Sequence, residues 1–135
     1  MRFHLVAALY VLYFSRFYSL AKGEKAVLCL TIGLVFAMEL LNTAVENAVN
    51  ASANTKYHPF AKLAKDAAAG AVLAAAVCSV LVGLCLFADI AILKKILQFQ
   101  FGKGYRAILF VISIILGVWF IFYPPKRKGK QEERK

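Results

Sequence analysis

Cysteine is sparse and badly spaced for chemistry. Cys29, Cys78 and Cys85 make an odd number, sit inside apolar runs and form no CxxC pair. That excludes a disulfide framework and a cysteine zinc site, and leaves buried free thiols acting as small apolar residues. The phosphate-binding loop GxxxxGK[ST] is missing, and Gly102-Lys103-Gly104 is too short to be one. HExxH and GxSxG are missing too, as are internal repeats and low-complexity tracts. Polar residues are few. Apolar types make up 61% of the 135 residues and mean hydropathy is +0.68. A soluble domain is usually about 45–50% apolar, so an ordinary water-soluble enzyme is excluded. A disordered basic chain is excluded as well, because disorder needs low hydrophobicity. Acidic residues number seven against seventeen Lys and Arg, for a formal net charge of +10. Nucleic-acid binding has no support beyond that charge. What remains is a small integral membrane protein with basic ends and loops.

Four apolar stretches predict an all-α, polytopic membrane helical bundle. They are Phe3–Ala21, Ala26–Val45, Ala67–Phe87 and Ala107–Tyr123, of 19, 20, 21 and 17 residues. A spanning helix needs about 20 apolar residues, within a range of about 17–25. The first stretch has only Arg2 ahead of it and lacks a small-residue cleavage site, so it reads as a span with Arg16 snorkelling, not a signal peptide. The fourth ends in Trp119, Phe120, Phe122 and Tyr123, which suit an aromatic belt.

The connections differ in character. Lys22–Lys25 reads as a tight charged turn. Asn50–Lys65 reads as a polar loop, with Pro59 in the first turn of the next helix. Residues 88–106 mix apolar residues with Lys94, Lys95 and Lys103 and read as an interfacial linker. Residues 124–135 form a basic tail with six Lys and Arg, suited to anchoring topology or to acidic lipid headgroups. With four spans, both ends and the Asn50–Lys65 loop share a side carrying ten Lys and Arg, against seven on the other. The positive-inside rule puts that richer side in the cytoplasm.

An ionisable residue inside a span is costly and marks function. Glu39 is one, and Asn42, Thr43, Glu46 and Asn50 follow it at helical spacing, on one face about 100° wide. The stripe suits either a site with two carboxylates or helix–helix hydrogen bonding. Lys65 and Asp66 open the next span on the same membrane side as Glu46. Carboxylates beside lysines at a water-facing boundary suit a metal–phosphate site. Positive-inside anchoring is the competing reading of the lysines.

Two motifs then carry a resemblance. ELLNTAVENAVN at Glu39–Asn50, followed by YHPFAKLAKDAAAGAVL at Tyr57–Leu73, resembles the prokaryotic diacylglycerol kinase family of small membrane lipid kinases. The likeness runs from Arg2 to Phe87, and the RFHL start looks like the family's lead into its first span. The HP…AKLAKDAAAGAVL wording is closer to the Gram-positive branch, which looks like undecaprenol kinase.

The resemblance implies a lipid kinase membrane domain over residues 1–87, with 107–123 an additional transmembrane helix. It implies ATP as donor, magnesium as cofactor, a lipid alcohol of the bilayer as acceptor and a homotrimer in the bacterial inner membrane. Glu39 matches the general base and Asn42 a residue supporting the reacting groups. Glu46 matches a metal-binding carboxylate at the ATP site, Lys65 a phosphate contact and Asp66 a nucleotide contact. Lys56, Tyr57 and His58 lie where the family's loop approaches ATP. Undecaprenol is the expected acceptor, with diacylglycerol the alternative.

Three departures are visible. The sequence begins after the family's surface helix, which carries a second metal-binding Glu; a truncated copy, a start assigned too far downstream or a non-catalytic membrane protein are the expectations that raises. Asn50 stands where the family usually has Asp. The fourth span exceeds the usual three.

Overall fold

Long apolar runs with few breakers wind into helices, because a lipid environment leaves backbone groups no other partners. The structure, a computed structural model, describes residues 1–52 and 59–123. Lys56, Tyr57, His58 and the tail beyond Tyr123 lie outside the described residues. Among the described residues there are five helices and no strand: α1 Arg2–Ser15, α2 Lys22–Ser52, α3 Pro59–Phe87, α4 Ile90–Phe101 and α5 Gly104–Phe122. The all-α membrane bundle is as expected. α2, α3 and α5 are long and apolar enough to cross a membrane.

α1 differs from expectation. It has 14 residues, about 21 Å at 1.5 Å per residue, where the apolar run predicts a span over Phe3–Ala21. The reason is local. The Ser15 hydroxyl bonds back to the Leu12 carbonyl at 2.8 Å. The amides of Arg16, Phe17 and Tyr18 then reach only three residues back, to Tyr13, Phe14 and Ser15. The chain tightens and leaves the helix. Tyr18 fixes the exit: it is buried, its ring packs on Phe87 with centroids 4.9 Å apart, and its hydroxyl donates to the Phe87 carbonyl at 2.9 Å. Burial, and secondarily the negative charge of Asp89, hold that hydroxyl's pKa above its ordinary value of 10.0.

Lys22–Lys25, expected as a tight turn, is instead the first turn of α2, and the connection is residues 16–21. The Glu24 carboxylate accepts from the Ala21 amide at 2.7 Å, satisfying one donor ahead of the helix. Pro59 opens α3 as predicted, where its missing N–H costs nothing. Asp89 caps α4, accepting from the amides of Ala91 and Ile92 at 2.8 and 3.2 Å.

α2 and α3 form the main antiparallel hairpin. α1 runs back along α2 on one side and along α5 on the other. Gly117 permits the α1–α5 approach: a Cβ there would lie 3.2 Å from Val6 Cγ1. Tyr10 and Ser113 share a hydroxyl hydrogen bond of 2.9 Å across the same seam. Arg2 donates to the carbonyls of Phe120 and Tyr123, setting a cation at the negative end of α5. Only five apolar side chains are buried among the described residues: Tyr18, Leu28, Val35, Ala75 and Ile96. A core that small does not hold a fold in water, so the exposed Leu, Ile, Val and Phe surface is matched to hydrocarbon.

Candidate functional site

The starts of α1 and α3 and the ends of α2 and α5 gather at one pole of the bundle. The polar stripe of α2 lies there. At 1.5 Å per residue Glu39 is about 20 Å from the end of α2 and Glu46 about 9 Å, so the two carboxylates stand roughly 10 Å apart along the axis.

Glu39 is the deepest of the set. Its side chain is only 11% exposed because α1 covers it. The Met1 ammonium lies 2.9 Å from Oε2 and His4 Nδ1 lies 2.5 Å from Oε1. A carboxylate this enclosed is tolerable because the Met1 ammonium and the polar His4 ring face it. His4 is the functional candidate that sequence reading missed. Its signal was available: a lone ionisable residue near the start of an apolar run. Its partner was not, since that depends on how α1 sits against α2.

Asn42 follows one turn on. Its amide Nδ2 donates to Glu46 Oε1 at 3.0 Å, and its Oδ1 is buried without a hydrogen-bond partner. An orphaned buried acceptor marks a place for a donor or a cation. Thr43 leaves the stripe, because its hydroxyl is used by the Glu39 carbonyl at 3.0 Å. Glu46 is exposed, and so are Asn50 and Asp66.

Lys65 stands on the same membrane side as Glu46, as expected. Its Nζ donates to Asn50 Oδ1 at 2.7 Å, one turn beyond Glu46 on the same face of α2. Asp66 is adjacent to Lys65 in α3. The structure thus sets out a ladder from the apolar interior to the pole: Glu39 with His4, then Asn42, then Glu46, then Asn50 with Lys65. Among the described residues no three His, Cys, Asp or Glu side chains cluster to hold a metal. A single carboxylate with a free amide oxygen beside it fits only a cation that takes most of its ligands from phosphate and water, as magnesium does. Chemically, the ladder offers a shielded proton acceptor at the apolar end and a cation-and-amide set at the wet end.

Comparison with known proteins gives the family. Residues 1–87 match the family model described as prokaryotic diacylglycerol kinase. The chain is 46% identical over 86 residues to the undecaprenol kinase of Bacillus subtilis (strain 168), covering 64% of this chain and 69% of that one. It is 57% identical over 61 residues to a diacylglycerol kinase of Synechocystis sp., covering 45% of this chain and 35% of that relative, so it spans about a third of that protein's length. No solved structure matches. α4 and α5 lie outside the matched residues.

Proposed function

The chain belongs to the prokaryotic diacylglycerol kinase family, and from that premise we propose that it is an ATP-dependent lipid kinase that phosphorylates the hydroxyl of undecaprenol. The observation that carries this reading is the ladder. The enclosed Glu39 carboxylate suits a lipid alcohol arriving within the bilayer, while Glu46 beside Asn42 and the Asn50–Lys65 pair suit a nucleotide arriving from water.

In the proposed reaction Glu39 takes the proton from the lipid hydroxyl as its oxygen attacks the γ-phosphorus of ATP. The new P–O bond forms as the bond to the bridging oxygen breaks, and ADP leaves with the electron pair. His4 is a positioning residue that holds the carboxylate towards the acceptor. Asn42 uses Nδ2 to orient Glu46 and keeps Oδ1 free for a donor. Glu46 would hold magnesium, which supplies charge neutralisation for the phosphates when bound. Lys65 contacts a phosphate once it leaves Asn50, and Asp66 contacts the nucleotide. Lys56, Tyr57 and His58 complete the approach to ATP from the connection between α2 and α3.

The pole bearing this ladder faces the cytoplasm, in keeping with its share of Lys and Arg. Glu46 and Asp66 are exposed on the single chain, which leaves room for a neighbouring subunit in a homotrimer. Diacylglycerol is the second acceptor, favoured by the name of the Synechocystis relative.

The test is phosphate transfer from γ-labelled ATP in mixed micelles containing undecaprenol and diacylglycerol in parallel. Label on undecaprenol is the expected result. Label mainly on diacylglycerol replaces the acceptor assignment, and no label on either from folded protein makes the chain a non-catalytic member.

A further inference from the structure

A cavity lies away from the kinase ladder. It is a groove of about 800 Å³ between α1 and α5, closed at one end by α4. Its floor is apolar, with Leu5, Leu9, Leu109 and Leu116 along it. It runs from Phe120 to Arg106, which is 14 residues of α5 and about 21 Å. The two ends differ. At the α4 end stand Arg106 and Gln100, with the Tyr13 hydroxyl between α1 and α4.

Three observations give this end a chemistry. First, Gln100 is only 6% exposed, a buried polar side chain in an apolar helix. Its Oε1 accepts from Tyr13 at 3.4 Å, while its amide nitrogen makes no hydrogen bond among the described residues. Second, the Arg106 guanidinium carbon lies over the Phe99 ring, 4.1 Å from its centroid, and its Nε donates to the Tyr105 hydroxyl. Those contacts hold the guanidinium and leave its terminal amino groups without hydrogen bonds among the described residues. Third, the lining contains one arginine and no Asp or Glu. An apolar trough ending in fixed, unspent donors and a positive charge is complementary to an amphiphile with an anionic head. The planar fork of arginine suits phosphate oxygens.

We propose that the groove binds one anionic phospholipid, an acyl chain lying between α1 and α5 and the headgroup phosphate held by Arg106 and Gln100. The site is separate from the kinase ladder. Its polar end lies at the opposite pole from Glu39, and half of its wall is α5, which the family match does not include. The proposal stands whether or not the chain is a kinase.

The test uses the full chain in detergent, stripped of lipid and titrated with dioleoyl-phosphatidylglycerol or dioleoyl-phosphatidylcholine, with bound lipid counted by native mass spectrometry. The two lipids share chains and phosphate and differ in net charge. Wild type should retain the glycerol lipid over the choline lipid by on the order of tenfold, the scale of one charged hydrogen-bonded pair. Arg106→Gln should make retention equal, and Arg106→Lys should keep part of the preference. Leu9→Trp, which fills the trough, should lose both lipids, with helicity by circular dichroism reporting that each variant is folded. Equal retention by wild type overturns the proposal. A preference that survives Arg106→Gln also overturns it. A change of oligomeric mass in Leu9→Trp in place of lipid loss would make the groove a contact between copies of the chain.

Discussion

If His4 acts only by holding Glu39, removing both groups should cost no more activity than removing Glu39 alone. His4 Nδ1 and Glu39 Oε1 are 2.5 Å apart, and the carboxylate is 11% exposed. A close polar contact to a charged group in such a setting, taken at the scale of a charge-assisted hydrogen bond, contributes about 1.5–3 kcal/mol. At about 1.36 kcal/mol per factor of ten, His4→Gln should slow phosphate transfer roughly tenfold to a hundredfold. On the proposed reading Glu39→Gln removes the proton acceptor itself, which typically contributes about 10²–10⁴-fold. Independent effects would multiply in the double variant. Coupled effects would leave the double variant at the Glu39→Gln rate. The assay is the initial rate of label transfer from ATP at saturating lipid and nucleotide. The ATP KM is measured alongside and should not move, because both residues lie far from Lys65 and Asn50 along α2. A double variant slower than Glu39→Gln by the full His4 factor would refute the positioning role. So would a His4→Gln variant that raises the ATP KM and leaves kcat alone.

Three further outcomes are expected. Glu46→Gln should shift the magnesium titration to higher concentration or abolish transfer, while Asn42, able to bond an amide oxygen, keeps the helix intact; an unchanged titration removes Glu46 from metal binding. Gly117→Ala should change stability little, because the 3.2 Å approach to Val6 costs about what alanine's helix propensity, about 0.8–1.0 kcal/mol, returns; Gly117→Leu should destabilise by about 1–3 kcal/mol in a denaturation series. Tyr18→Phe should cost about 0.5–1.5 kcal/mol by losing the bond to the Phe87 carbonyl. Because the folded-state pKa of Tyr18 lies above 10.0, wild type keeps this contribution below pH 10 and loses it as pH rises from there, so the gap between wild type and Tyr18→Phe in thermal midpoint should narrow only in that range.

Hydropathy made α2, α3 and α5 legible, since each carries an apolar run of spanning length, broken in α2 by the polar face that starts at Glu39. Helical spacing made the Glu39–Asn42–Glu46 face legible, and the Asn42–Glu46 hydrogen bond follows from their i, i+4 relation. The end of α1 was not legible. The apolar run continues past Ser15, and what stops the helix there is a hydroxyl turned back on its own carbonyl and a tyrosine held by a residue 69 positions away. The side on which Lys65 stands was legible, but its Asn50 partner was not, because that depends on the register of α3 on α2. His4 was visible as an oddity and invisible as a partner, for the same reason. Thr43 looked equivalent to its neighbours, yet back-bonding within the helix removes it from the site.

The unequal helix lengths set how the molecule sits in a bilayer. α2 and α3 measure about 46 and 43 Å, α5 about 28 Å and α1 about 21 Å, beside a hydrocarbon layer of about 30 Å. The apolar parts of the long pair, 20 and 21 residues or about 30 Å, match the layer and leave their polar ends outside it, while α1 falls short of it. Hydrophobic mismatch therefore falls on one flank of this small protein, and lipid beside α1 must thin or be met by the aromatic residues that follow it. Glu39 and His4 sit on that thin flank. On the proposed kinase reading, a dip in the membrane surface there shortens the path between a buried alcohol and a nucleotide in water.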